Sequence, residues 1–228
     1  MNILITGGAG FIGSHLVDFL ITKKEIKKII VLDNIEDGSL KNLKDALKNS
    51  KVKFFKRDIR NFKSIKNCFR NVDQVVHLAA LSDIVPSIEN PIEYLNTNIM
   101  GTVNILESMR IHKIKKIVYS ASSSCYGIPF SVPTKETDKI STRYPYAYSK
   151  YIGEQTIKHW AEVYKLNYIS LRLFNVYGTR SRTHGAYGAA LGVFLKQKLS
   201  KTPFTVVGNG KQKRDFIYVS DIVNAFYL

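Results

Sequence analysis

The sequence predicts a doubly wound α/β fold, a parallel sheet covered by helices on both faces. Two observations lead to it. Over the first 175 residues, short apolar and β-branched runs alternate with segments of helical period. The first run also ends in a glycine-rich turn, "TGGAGFIGSH", that opens directly into a helical pattern.

The elements follow in order. "NILIT" (2–6) reads as the first strand and "FIGSHLVDFLIT" (11–22) as the helix behind the glycine turn. "KKIIVLD" (27–33) is a strand, followed by a helical period in "SLKNLKDALKN" (39–49). The pattern repeats as strand "VKFFKRD" (52–58), helix "FKSIKNCFR" (62–70) and strand "DQVVHLAA" (73–80). A helix is expected from Pro91 to about His112, then strand "KKIVYSAS" (115–122), a loop, a helix from about Tyr144 to Tyr164, and strand "YISLRLFN" (168–175). Beyond Asn175 the regularity fades, with a helical "LGVFLKQKLS" (191–200) and a short strand candidate "FTVVG" (204–208). Two units are therefore expected: a dinucleotide-binding domain over 1–175 that carries the chemistry, and a smaller, partial lobe over 176–228.

Composition narrows the possible functions. A chain of 228 residues, 45% apolar and 11% aromatic, can bury a substantial core. No apolar run reaches bilayer length, and the start lacks a basic, cleavable leader, so a cytoplasmic protein without membrane attachment is expected. Cys68 and Cys125 lie in unrelated contexts, which suits a reducing compartment and supports neither a disulfide framework nor a metal site. The formal charge of +16 raises nucleic acid as a partner. The lysines are scattered between helical and strand-like segments, however, with no basic stripe carrying stacking aromatics, so nucleic acid is not expected. The positive field suits an anionic small substrate.

The glycine turn places Gly7, Gly10 and Gly13 between a strand and a helix. Glycines there permit a tight turn and let backbone N–H groups approach a pyrophosphate at the positive helix end. Asp33 closes the second strand about twenty residues on, where a carboxylate accepts from adenosine ribose hydroxyls. The following "NIED" offers no arginine for a ribose phosphate, so NAD is expected rather than NADP.

Tyr146 and Lys150, in "PYAYSK", stand one helical turn apart and share a face if this segment is helical. Alone, such a pair is as compatible with packing and solubility as with chemistry. Ser122 ends the fifth strand, at the sheet edge where α/β folds bind ligands. A hydroxyl there can hold a sugar hydroxyl beside the phenol, while an ammonium and an oxidised nicotinamide would favour phenolate and depress the tyrosine pKa.

Nine stretches in this order carry a family resemblance: "TGGAGFIGSHL", "VLDN", "RDIRN", "VDQVVHLAA", "YLNTNIMGTVNILE", "IVYSASSSCYG", "YPYAYSKYIGE", "LRLFNVYG" and "GNGKQKRDFIYVSDI". The chain resembles the extended short-chain dehydrogenase/reductase family, with its Rossmann domain, and in particular nucleotide-sugar epimerases of the UDP-glucose 4-epimerase type. The resemblance implies that Tyr146 is the catalytic base, that Lys150 binds the nicotinamide ribose and tunes the tyrosine, and that Ser122 contacts the reacting hydroxyl. It places Phe11 and Ile12 along the pyrophosphate, Asn34 beside Asp33, Asp58 and Ile59 beside the adenine, Leu78, Ala79, Ala80 and Thr97 along the cofactor, and Phe174 on the nicotinamide side. Ser82, Ser122, Ser124, Tyr146, Asn175 and Arg214 are the implied substrate contacts, the last two at the diphosphate. His184 and Tyr187 are further candidates for the sugar pocket.

Dehydratases of this family carry Asp-Glu directly after the hydroxyl residue, and its decarboxylases carry a Glu. Here Ser123 and Ser124 follow Ser122, so the resemblance implies oxidation at C4 of a nucleotide sugar, a UDP-hexose, and re-reduction through a transient 4-keto sugar. The alternatives are a 4,6-dehydratase or other oxidoreductase of the family, and an NAD-binding fragment. The latter arises because family members continue past the segment matching "RDFIYVSDIVNAFYL", which leaves the second lobe incomplete at Leu228. The family also implies a homodimer, joined through the helices that begin at Pro91 and Tyr144.

Overall fold

The computed structural model describes residues 1–181, 190–206 and 208–228. Chain order is β1 (Asn2–Thr6), α1 (Phe11–Ile21), β2 (Lys28–Asp33), β3 (Val52–Lys56), α2 (Phe62–Ile65), β4 (Gln74–His77), α3 (Ile84–Glu89) and α4 (Pro91–Leu95). It continues through α5 (Gly101–Ile111), β5 (Lys116–Ser122), α6 (Pro145–Tyr164), β6 (Asn167–Leu173), β7 (Asn175–Tyr177), α7 (Ala190–Leu199), β8 (Phe216–Tyr218) and α8 (Val219–Tyr227). Six parallel strands pair in the order β3-β2-β1-β4-β5-β6, and β7 and β8 form a separate parallel pair. The order reverses between β1 and β4, so a crevice opens at the carboxyl ends of these two strands.

Side-chain alternation divides the core into two layers. On one face Ile3, Ile5, Val31 and Val76 pack against Leu16, Val17 and Leu20 of α1 and Ile222, Val223 and Phe226 of α8. On the other, Leu4, Ile30, Leu32, Val75 and Ile117 meet Ile105 and Met109 of α5 and Ile157 of α6. Each fully buried aliphatic side chain in these layers contributes about 1.5–3 kcal/mol of transfer free energy. No element was expected at 219–227, yet α8 shares the first layer with α1. A division after residue 175 therefore separates side chains that lie in one core.

Several expected elements take a different form. The helix expected over 39–49 is two short 3-10 turns, Leu40–Leu43 and Ala46–Lys48. The Ser39 amide and the Asn42 side chain both donate to the Ala9 carbonyl (3.0 and 2.9 Å), which ties the segment to the glycine turn instead of letting an α-helix propagate. The helix expected over 62–70 is α2 followed by a 3-10 turn, Lys66–Phe69. The long helix from Pro91 is α4 and α5 joined by a π-helical turn, Asn96–Met100, and α3 precedes it unforeseen. Over 204–206 the expected strand is absent, with Val207 outside the described residues; β7 pairs with β8 instead.

His77, at the end of β4, fastens the layers together. Its Nδ1 lies 2.7 Å from Thr6 Oγ1 on β1 and its Nε2 3.0 Å from Thr102 Oγ1 on α5. Burial first, and then the nearby Lys150 charge, push its pKa down to about 3. The unfolded chain, with an ordinary imidazole near 6.5, binds the proton more readily. This stability is thus complete above the unfolded pKa and is lost as pH falls from there towards 3. His77→Asn is expected to lower stability at pH 7 and to remove up to about 1.4 kcal/mol per pH unit of the acid-side slope between pH 6 and 4. Urea unfolding at several pH values measures the difference; parallel slopes for both proteins would reject the assignment.

Candidate active site

The crevice beside β1 is a cavity of about 390 Å³, within the range of small-molecule and cofactor sites. One wall is the glycine turn. Gly7 has φ +70°, and a Cβ on it would stand 2.7 Å from the Ala79 amide nitrogen. A Cβ on Gly13 would stand 2.2 Å from the Gly7 carbonyl oxygen. Gly10 caps α1 without a side-chain hydrogen bond, so the backbone at the helix's positive end, Gly10 to Gly13, forms the cavity wall.

Asp33 lines the far end. Its two carboxylate oxygens accept from the Ala9 amide (2.9 Å) and the Ile35 amide (2.8 Å), and Ile35 adopts a left-handed φ of 66° to make that turn. Burial raises the Asp33 carboxyl, with the two amides working in the opposite direction. Asp58 is gripped by Arg60, whose Nε lies 3.0 and 2.9 Å from its two oxygens. Burial alone would raise the Asp58 carboxyl, but Arg60 holds it below the usual range.

At the other end, Ser122 closes β5 and Tyr146 and Lys150 rise from the first turns of α6, where Pro145 starts the helix. Tyr146 donates its phenol to Ser122 Oγ at 3.3 Å, and Ser122 Oγ lies 2.7 Å from Ser124 Oγ. Tyr94 stacks edge-on against Tyr146, with ring centroids 6.5 Å apart. Burial raises the Tyr146 phenol, the Ser122 hydrogen bond offsets part of that, and the Asp83 carboxylate adds to it. Lys150, itself buried, is pushed down to about 7.

The cavity wall brings together Gly7, Gly10, Phe11, Ile12, Gly13, Asp33, Asn34, Asp58, Ile59, Leu78, Ala79, Ala80, Thr97, Phe174, Ser82, Ser122, Tyr146 and Lys150. Three expected substrate contacts stand off it. Ser124 reaches the site only through Ser122. The Asn175 side chain donates to the Asp215 carbonyl (2.9 Å), and the exposed Arg214 donates to the Lys213 carbonyl (2.8 Å). Both lie on the open β7/β8 side, where no cavity wall holds them. His184 and Tyr187 lie outside the described residues. Asp83, Arg57, Asn42 and Arg180 line the cavity without having been foreseen. They come from loops behind different strands, and no local spacing marks them; Arg57 lies beside Asp33 on the cavity wall although no arginine follows Asp33 in sequence.

Comparison with known proteins places this geometry. The profile of the NAD dependent epimerase/dehydratase family matches residues 3–228. The chain belongs to that family. A UDP-glucose 4-epimerase from Halalkalibacterium halodurans is 35% identical over 100% of this chain and 70% of its own. The UDP-N-acetylglucosamine 4-epimerase from Methanobrevibacter ruminantium, solved with UDP-N-acetylmuramic acid, superposes with a TM-score of 0.92 at 34% identity, over 98% of this chain and 71% of that one. The Thermus thermophilus UDP-glucose 4-epimerase in complex with NAD does so with a TM-score of 0.90 at 32% identity, over 100% of this chain and 73% of that one.

The residues present fit the family's NAD. Gly7 and Gly13 leave no room for a Cβ, the Asp33 carboxylate lies beside the glycine turn, and the buried Thr97 hydroxyl on the cavity wall has no hydrogen-bond partner within the protein. Among the described residues no cluster of His, Cys, Asp or Glu could hold a metal, and no helix is long and apolar enough to cross a membrane. Asp33→Ala is expected to weaken NAD binding roughly ten- to a hundred-fold, by the loss of charge-assisted hydrogen bonds, and to narrow the preference over NADP. Isothermal titration with both dinucleotides measures this. An unchanged preference would mean that the ribose is read elsewhere, with Arg57 the first alternative.

Proposed function

We propose that the protein is an NAD-dependent nucleotide-sugar 4-epimerase acting on a UDP-hexose, with Tyr146 as acid/base, Ser122 holding the reacting hydroxyl and Lys150 as their charged support. The observation that carries this reading is the Tyr146–Ser122 hydrogen bond at the cavity end, beside a turn, Ser123–Tyr126, that contains no carboxylate. That turn lacks the acidic pair expected of a dehydratase. Asp83, from the loop after β4, lines the same cavity, and its charge raises the Tyr146 pKa.

In this reading Ser122 orients the C4 hydroxyl and Tyr146, as phenolate, removes its proton. The nicotinamide, when bound, supplies the reversible acceptor for the electrons and hydrogen leaving C4. Tyr146 then returns the proton to the 4-keto sugar after the sugar has turned over, and net redox is zero. The nucleotide anchors the sugar through this turn. We assign the anchoring to Asn175 and Arg214 near the diphosphate, with Ser82 and Ser124 near the sugar.

We also propose a homodimer joined through the helices from Pro91 and Tyr144. Ile92 (72% exposed), Met100 (51%) and Tyr148 (48%) are the apolar side chains that such an interface would cover. The free thiols of Cys68 and Cys125 suit a reducing cytoplasm.

Incubation with UDP-glucose, UDP-galactose, their N-acetyl forms and UDP-glucuronate, followed by product separation, tests the reaction. Interconversion of 4-epimers without net NADH is expected. A 4-keto-6-deoxy product, or NADH in proportion to sugar consumed, would replace the epimerase reading with a dehydratase or an oxidoreductase. Tyr146→Phe is expected to lower kcat by about 10²–10⁴-fold while retaining NAD affinity within a few-fold; near-normal turnover would remove Tyr146 from its role. Light scattering should give twice the chain mass, and Ile92→Glu half of that.

A further inference from the structure

Lys150 is a cation placed in an unfavourable environment. It is 4% exposed, and burial draws its pKa down to about 7, with Glu154 one turn along α6 acting in the other direction. Glu154 is bound by Arg172 from β6, with Nη2–Oε1 2.7 Å and Nε–Oε2 3.1 Å, so much of its charge is already matched. His77, from β4, is neutral. Tyr146 on the same helix and Ser122 on β5 present hydroxyls to the site. Asp83 lies on the Tyr146 side.

Beneath the amine is an aromatic face. Lys150 Nζ sits 4.3 Å from the centroid of the Tyr119 ring, close enough for a substantial cation–π attraction in a dehydrated setting. Tyr119 is 1% exposed, and its position is fixed from several sides. Its backbone pairs with His77 on β4 and Ser170 on β6, its ring lies 5.5 Å from the His77 ring, and its hydroxyl donates to the Lys150 carbonyl at 3.3 Å. Gly153, inside α6, makes room for it: a Cβ there would stand 2.6 Å from the Tyr119 hydroxyl. A glycine in a helix interior is unfavourable relative to alanine, so this one is explained by the ring that it admits. Burial above all pushes the Tyr119 phenol far above its usual range, which leaves it a neutral π surface and not a competing acid.

We propose that Tyr119 is a positioning residue for Lys150, its ring face holding the ammonium charged and in place at the cavity wall. The proposal rests on the reading of Lys150 as the charged support of an acid/base tyrosine. Tyr119 touches neither coenzyme nor sugar in this scheme and acts through the amine alone. With the ring removed, the amine should lose its proton at lower pH, and the Tyr146 phenolate should lose its cation.

The test is a titration of the Lys150 amine by NMR in ¹³C-lysine-labelled protein without coenzyme, the signal being assigned by its absence in Lys150→Met. Tyr119→Phe retains the ring and should titrate within about 0.3 pH units of the parent. Tyr119→Leu should titrate lower by roughly half to one and a half units, as loss of a desolvated cation–π contact requires. A series with mono-, di- and trifluorophenylalanine at position 119 keeps the shape while weakening the π face, and should step the titration downward in that order. It also decides the matter if the leucine variant fails to fold. In turnover assays the acid limb of kcat should move to higher pH along the same series. A titration flat across the fluorinated series, or one that rises, would overturn the proposal. A graded titration in a protein without epimerase activity would leave it standing and reject the proposed function; an active epimerase with a flat titration would do the reverse.

Discussion

Backbone meets backbone at the switch between β1 and β4, and most of the site depends on how closely. A Cβ at Gly7 would stand 2.7 Å from the Ala79 amide nitrogen, and one at Gly13 would stand 2.2 Å from the Gly7 carbonyl. Strand end, turn and helix start therefore share a space that only hydrogen atoms can occupy. The same approach brings Thr6 within hydrogen-bonding distance of His77 and of the Leu78 and Ala79 amides (both 3.2 Å), so the floor of the cavity is tied across two strands. From His77 the connection passes to Thr102 on α5, whose hydroxyl donates to the Asn98 carbonyl.

Asn98 carries it on to the chemistry. It sits in the π-helical turn between α4 and α5, and its amide group pairs with both backbone groups of Leu81 and donates to Ser149 Oγ (2.9 Å). Ser149 in turn donates to the Tyr146 carbonyl (2.8 Å). The π turn thereby faces the loop after β4. These hydrogen bonds run in series, from the glycine turn to the first turn of α6 that carries Tyr146.

Electrostatics at that end balances burial against contacts. Tyr146 and Lys150 both shift towards their neutral forms because water is excluded, the phenol upward and the amine down to about 7. Each then depends on what remains nearby: a serine hydroxyl for the phenol, and an aromatic face and a shared carboxylate for the amine. Ionisation of a buried group responds strongly to one more charge nearby, because little water is left to screen it.

Much of this was legible in the chain itself. The alternation of strand and helix, the glycine turn, Asp33 at the end of β2 and the Tyr146/Lys150 spacing are local patterns, set by backbone sterics and by the 3.6-residue period. They needed no partner to be read. What the three-dimensional fold decided was everything that depends on neighbours distant in sequence. The 39–49 segment lost its helix to hydrogen bonds with Ala9, α8 joined a core some two hundred residues upstream, and Asp83 and Arg57 reached the cavity from separate loops. Nor could spacing foretell how strongly burial weighs against ionisation at Tyr146 and Lys150. A pKa reports how much water is excluded and which charges stay close, and both quantities come into being only when the layers pack.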